Sequence, residues 1–522
     1  MTRRLKPVET GYHQDRRCLD GTRTGLLKKI TDWVAGQEDA THGNTYWIYG
    51  LPGIGKTSLA HSICAKLDYQ KQLAGSFFCR MSDPDLSEPR KILPTLINKL
   101  AIIFPPFRAI VADRLHKTPN LTPESMEYTV LLEFIRALLH QPKKALVFVI
   151  DALDECGSAQ SRSNILKALT DAAAEAPWLK VIITSRPEVD IQDFFHSLTQ
   201  LSYWECDLIA DQEATSDLRI FAKHRFSTVA RNRHLASPWP EQSLFEGIIS
   251  RAEGLFIFIQ TLSLALERCD DPTELLKANL PQSAGIGLSF LYDLYSSIVG
   301  ARKVQRSAEF RRMIEVILIT SPYRPLCETT IAELAGVRLD LVKTWLADLS
   351  SLFYSDEGAS GGVRVRHLSI SNFFVSDHCH TDYRVNPRDA NVELGIACLK
   401  KMTEQLRFNI CKFEDSRLAN DKVKDLQSRI KDNISDALQY SSLYWSNHLC
   451  FAPDTGNKRV SETLSIFFEG TYGLFWIEVL SIMGMLRIGV PSLRKLTSIL
   501  VKVSRAPTCR HGRAFQSGSN PL

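Results

Sequence analysis

Gly50-Leu51-Pro52-Gly53-Ile54-Gly55-Lys56-Thr57 is the stretch whose reading decides the fold. An apolar run, Tyr46-Trp47-Ile48-Tyr49, leads into it, and a helix is expected from about Lys56. In that strand–loop–helix setting the spacing G-x-x-x-x-G-K-[ST] makes a phosphate cradle, or P-loop. Its glycines let successive backbone N–H groups turn inward at a helix N-terminus, where anions are favoured. Lys56 supplies a point charge for the β- and γ-phosphates and the Thr57 hydroxyl a ligand for Mg²⁺, with Ser58 counted among the nucleotide-binding residues. The expected ligand is a nucleoside triphosphate with Mg²⁺.

A second stretch, Val147-Phe148-Val149-Ile150-Asp151-Ala152-Leu153-Asp154-Glu155, reads as a buried strand ending in a carboxylate. Asp151 is placed to hold Mg²⁺ through water, as a Walker-B Asp does. Asp154 or Glu155 then orients or deprotonates the attacking water. Glu155 is preferred because Glu reaches further from a strand end. A third strand ends Ile183-Thr184-Ser185-Arg186-Pro187-Glu188. The strand's C-terminal end is where open α/β sheets contact ligands, so Arg186 either reads the γ-phosphate or pairs with Glu188.

Working outward, strands are expected at Ser76–Cys79, Ala145–Ile150 and Lys180–Thr184 in addition to Tyr46–Tyr49. Strands apolar on both faces that alternate with helices make a parallel sheet covered on both sides. A helix with Leu26, Leu27, Ile30 and Trp33 at helical spacing precedes the first strand. After about residue 205 the texture turns helical, with a buried helix expected over Leu255–Leu266. Helices at Phe310–Ile319 and Ile331–Ser350 followed by a hairpin of Leu352–Tyr354 and Val363–Arg366 form a winged-helix pattern. The expected organisation is a linker over 1–20, the nucleotide domain over 21–205 and a helical domain over 206–284. A winged helix over 285–382, a helical region over 383–490 and a basic tail over 491–522, disordered or truncated, follow.

The 522 residues carry a net charge of +5, with 44% hydrophobic and 23% charged residues, the composition of globular domains. That charge is too diffuse to argue for a nucleic-acid partner. The 12 cysteines include no Cys-x-x-Cys pair, which suits a reducing compartment such as the cytoplasm. No apolar stretch follows the basic start, so no secretory signal is expected, and Gly473–Leu486 is short for a membrane span and contains Glu478. Gly358-Ala359-Ser360-Gly361-Gly362 fits G-x-S-x-G but sits between hairpin strands, where a flexible turn is expected. His378-Cys379-His380 lacks a second ligand pair at metal spacing. Beyond Glu478 only basic charges occur, from Arg487 and Arg494 to Arg513.

Together the three motifs resemble the NACHT branch of the STAND P-loop NTPases, switches related to innate-immune receptors. The resemblance is to the fungal set of nephrocystin-type and NACHT–WD-repeat proteins, and it covers roughly residues 15 to 490. Cys18-Leu19-Asp20-Gly21-Thr22-Arg23, Gly254-Leu255-Phe256-Ile257, Leu406-Arg407-Phe408-Asn409-Ile410-Cys411 and Tyr444-Trp445-Ser446-Asn447-His448-Leu449 also resemble that set. The resemblance implies a nucleotide domain, a helical domain and a winged helix whose His contacts the diphosphate of bound ADP. His367, in Arg366-His367-Leu368-Ser369, stands at the matching place; a packed core histidine is the other reading. The family's Gly-x-Pro is replaced by Gly254-Leu255-Phe256, and neither an effector domain nor a repeat sensor accompanies the motifs, as in a shortened gene or a short paralogue.

The resemblance therefore implies a Mg²⁺-dependent switch that binds ATP, or GTP, and hydrolyses it slowly. It closes with ADP, opens and self-associates with ATP, and signals to a protein effector, with neither nucleic acid nor membrane as partner. The absence of an Asn-Lys-x-Asp signature leans towards ATP. A nucleotide-stabilised scaffold and a remodelling ATPase of the AAA+ kind are the other readings.

Overall fold

The computed structural model describes residues 1–37, 43–81, 83–118, 122, 129–138, 142–198, 203–211, 213–280, 288–300, 307–355, 361–415, 419–452 and 458–504. The chain forms two compact units. One comprises Met1–Gln305, Thr320–Leu326 and Lys343–Arg384; the other comprises Arg306–Ile319, Cys327–Val342 and Val385–Leu522.

The first unit is built on a parallel sheet of β1 (Thr45–Tyr49), β2 (Leu73–Phe78), β3 (Leu146–Asp151), β4 (Leu179–Ser185) and β5 (Trp204–Asp207), in the order β2-β3-β4-β1-β5. Every residue of β3 is buried, as its unbroken apolar run requires of a strand covered on both faces. The fold is thus the expected α/β arrangement with a predominantly helical remainder. Strand β2 begins three residues before the expected Ser76. Strand β5, which the sequence reading did not anticipate, lies at the edge beside β1, and none of its four residues is buried. Trp47 anchors the core: its ring stacks on Phe195 at 4.6 Å, and its Nε1 donates to Ser185 Oγ at 2.9 Å. A buried indole keeps its polar end satisfied in this way.

The polar lead-in lies along this unit as a strap. Its backbone amides at Val8, His13 and Cys18 donate to Thr95 Oγ1, His61 Nδ1 and Ser62 Oγ at 3.0, 3.1 and 2.8 Å. Beyond β5 come the helices Ala214–Asn232, Gln242–Ala252 and Phe256–Leu266, the last burying Phe258, Ile259, Leu262 and Leu266. β6 (Phe353–Ser355) and β7 (Val363–Val365) pair antiparallel at the expected hairpin, and the helix Leu368–Val375 follows. Residues 358–360 of the G-x-S-x-G stretch lie outside the described residues.

The single helix expected over Ile331–Ser350 is two, Glu328–Ala335 and Leu339–Asp348. Gly336, at φ +61°, closes the first as a left-handed cap, a conformation that ends a helix.

In the second unit, Pro387–Gln405 packs on Asp436–Leu449 around fully buried Trp445 and Trp476. A buried polar chain runs Asn391 to His448 to Tyr440, with both contacts at 2.9 Å. Burial lowers the His448 pKa to about 3, so the ring is a neutral structural linker. The helix Gly489–Ser504 takes up the start of the basic tail, and residues 505–522 lie outside the described residues. Among the described residues no helix is long and apolar enough to cross a membrane.

Candidate functional site

The loop between β1 and the helix Lys56–Tyr69 turns on two glycines with positive φ, Gly53 at +82° and Gly55 at +99°. A side chain at Gly53 would also meet Ile257, since its Cβ would stand 2.1 Å from Ile257 Cγ2. Glycine is therefore required there twice over, by backbone and by space. Ile257 N donates to Gly53 O at 3.1 Å, which seats the start of the helix Phe256–Leu266 against the loop.

Lys56 is buried, and its Nζ donates to Gly50 O at 2.8 Å and Leu51 O at 3.0 Å. Burial lowers its pKa to about 8, against the opposing pull of the Asp154, Asp151 and Glu155 carboxylates. The ammonium remains charged at neutral pH. Asp151 closes β3 at 2% exposure and accepts from Thr184 Oγ1 at 2.6 Å and from the Thr57 hydroxyl. Burial pushes its carboxyl above the ordinary range, and these bonds pull it back. Thr184 Oγ1 also accepts from Ala152 N at 3.0 Å, so one hydroxyl ties the ends of β3 and β4 together. Ala152 itself adopts a left-handed φ of +54°.

Asp154 and Glu155 have separate partners. Asp154 accepts from Arg186 N at 2.9 Å and pairs with Arg186 Nε at 3.2 Å. The expected alternative, Arg186 with Glu188, is not the pairing found. The chain turns at Pro187 into the helix Val189–Ser197, whereas Asp154 stands at the adjacent strand end. Glu155 instead accepts from Met81 N at 3.1 Å. Burial raises its pKa to about 7, which the Met81 amide opposes and the Asp154 charge reinforces. A carboxylate near neutrality is suited to general-base work.

Pro52 through Ser58, Asp154, Glu155, Arg186 and His367 line one cavity of about 570 Å³. His367 caps the helix Leu368–Val375, its Nδ1 accepting from Ser369 N at 3.2 Å, which leaves the neutral ring's proton on Nε2. Burial, with Arg186 and Lys56 adding to it, lowers its pKa to about 3. Asp151 lies behind Thr57, and Gly50 and Leu51 carry the carbonyls that hold Lys56.

Two of the cavity residues to which the sequence gave no role stand against the P-loop side. Arg23 sits in the Cys18–Arg23 segment, whose resemblance to relatives was the available signal. Phe256 stands where the family's Pro is missing, packed 5.4 Å from Phe221.

The donor set fits Mg²⁺, a hard ion that takes hydroxyl, carboxylate, water and phosphate oxygens. Among the described residues no group of three or more His, Cys, Asp or Glu side chains is arranged to hold a metal. A Mg²⁺ shared with phosphate oxygens needs none.

Residues 21–186 match the family described as Nephrocystin 3, N-terminal. The chain is 24% identical over 548 aligned positions to the vegetative incompatibility protein HET-E-1 of Podospora anserina. That match takes in 94% of this chain and 38% of the relative, so the chain spans well under half of its relative's length. Among solved structures, a Walker-type ATPase of Pyrococcus abyssi matches at 12% identity and TM-score 0.33, over 71% of this chain and 99% of its own. The Orc1 protein of Aeropyrum pernix, solved in complex with DNA, matches at 13% identity and TM-score 0.32, over 70% and 94%. By its matched domain and its fungal relative, the chain is related to the nephrocystin- and NACHT-type P-loop proteins of fungi.

Proposed function

We propose that this chain is a nucleotide-operated switch. It binds ATP or GTP with Mg²⁺, hydrolyses it slowly, closes around the diphosphate, and opens to self-associate and engage a protein effector when the triphosphate is bound. The observation that carries this reading is that Lys56, Glu155, Arg186 and His367 face one cavity.

In this reading Thr57 and Asp151 hold the metal, whose chemistry is to neutralise charge on the transferring phosphoryl group. Glu155 receives the proton of the attacking water, Arg186 meets the terminal phosphate, and His367 donates from Nε2 to the diphosphate. The nucleotide domain extends over 21–205, the helical domain over 206–284 and the winged helix that carries His367 over 285–382. A nucleotide moves such an equilibrium only through unequal affinity for the two states, which contacts from Arg186 and His367 would supply. The reading suits a cytoplasmic protein with neither nucleic acid nor membrane as partner.

Light scattering of the full chain with Mg·ADP and with Mg·ATP tests it, alongside a phosphate-release assay. Larger species with the triphosphate, lost in Lys56→Ala, support the switch. One mass in both nucleotides, with no phosphate released, contradicts it.

A further inference from the structure

Arg23 is 2% exposed, yet it makes contact in four directions. Its backbone N donates to Asp217 Oδ2 at 3.0 Å. Its guanidinium pairs with Asp211, donates from Nη2 to Ile54 O at 3.1 Å, and stands over the Phe256 ring, 5.3 Å from the centroid. Its φ of +54° is one that a non-glycine residue holds only where its surroundings over-determine it. One residue thus joins the strap, the P-loop, the acidic turn after β5 and the starts of the helices Ala214–Asn232 and Phe256–Leu266.

The bond to Ile54 matters for the cradle. In a planar trans peptide the C=O and the following N–H point in opposite directions. Holding Ile54 O on the Arg23 side therefore turns the Gly55 N–H away from it, within a loop that lines the cavity. We propose that Arg23 is a positioning residue: through Ile54 O it fixes the Gly55 N–H for phosphate, and through Asp211, Asp217 and Phe256 it ties that setting to the helices beyond the sheet. This rests on the nucleotide-binding reading above. A planar fork with five donors meets these partners at once; an ammonium, a compact point charge, does not.

The test is hydrogen–deuterium exchange across residues 50–59 of the full chain, with Mg·ATP affinity, in Arg23→Ala, Arg23→Lys and Asp211→Asn. Arg23→Ala and Arg23→Lys are expected to speed exchange at Ile54 and Leu59, whose N–H groups donate to Leu51 O and Gly55 O, while β3 and β4 stay protected, and to weaken Mg·ATP by roughly tenfold. Asp211→Asn, which keeps the Ile54 bond, is expected to lose about threefold. Wild-type exchange and affinity in Arg23→Lys overturn the proposal, as does faster exchange spread evenly through the sheet. Should Arg23→Ala fail to fold, the other two variants decide. If the wild type itself binds no nucleotide, the switch reading fails, and exchange at Ile54 and Leu59 still decides how Arg23 holds the loop.

Discussion

Arg186 meets both oxygens of the Asp154 carboxylate: Oδ1 accepts from its backbone N–H at 2.9 Å, and Oδ2 is ion-paired with its Nε at 3.2 Å. The residues after β3 and β4 are thereby braced across the site, beside the Thr184 to Asp151 bond that joins the strands themselves. Asp154 is committed to Arg186, which in the proposed mechanism leaves Glu155 as the proton acceptor.

Removing that brace separates stability from binding. The side chains of Asp154 and Arg186 are 4% and 17% exposed, so Asp154→Ala leaves a guanidinium largely buried without its partner. The expected cost is about 3 kcal/mol of unfolding free energy. Mg·ATP affinity should change by less than about tenfold, because the P-loop contacts remain. Denaturant midpoints and titration calorimetry on one preparation check both.

Glu155 gives hydrolysis a pH signature. In the proposed mechanism the attack needs its carboxylate, so phosphate release should rise with pH through about 7 and level off above it. Glu155→Gln should remove that rise and slow release by about 10²- to 10⁴-fold, with nucleotide still bound. Stability runs the other way. A carboxyl whose folded pKa is raised from 4.5 to about 7 contributes stability below about 4.5 that is lost as pH climbs through 7. The wild type minus Glu155→Gln difference in unfolding free energy should therefore fall across that window.

His367 should behave unlike an ordinary surface histidine. With its pKa lowered to about 3 by burial and by Arg186 and Lys56, it stays neutral through the range in which histidines usually switch. His367→Ala is expected to weaken Mg·ADP by roughly tenfold and Mg·ATP by less. That ratio should hold from about pH 8 to about pH 5, measured by calorimetry at several pH values.

The sequence carried the parts of this site that depend on local spacing. The P-loop, the apolar run of β3 and its terminal Asp151 are legible because a buried strand followed by a carboxylate leaves a contiguous pattern. Strand β5 left no such pattern: four half-exposed or exposed edge residues lack an apolar run. Pairings between segments far apart in the chain were not legible either. Arg186 had Glu188 as its sequence neighbour, but the sheet order brings Asp154 beside it. Arg23 reads as one cation among many until Asp211, Asp217 and Ile54 gather around it.

Whether the Lys56 loop binds nucleotide is read by titrating Mg·ATP and Mg·GTP into the full chain and into Lys56→Ala. Nζ here is held by two loop carbonyls at the mouth of the cradle, ready to transfer its bonds to phosphate oxygens. Saturable binding of at least one nucleotide by the wild type is expected, weakened about 100-fold or more in the variant. A wild type that binds neither nucleotide, or a variant that binds as tightly as the wild type, would contradict it.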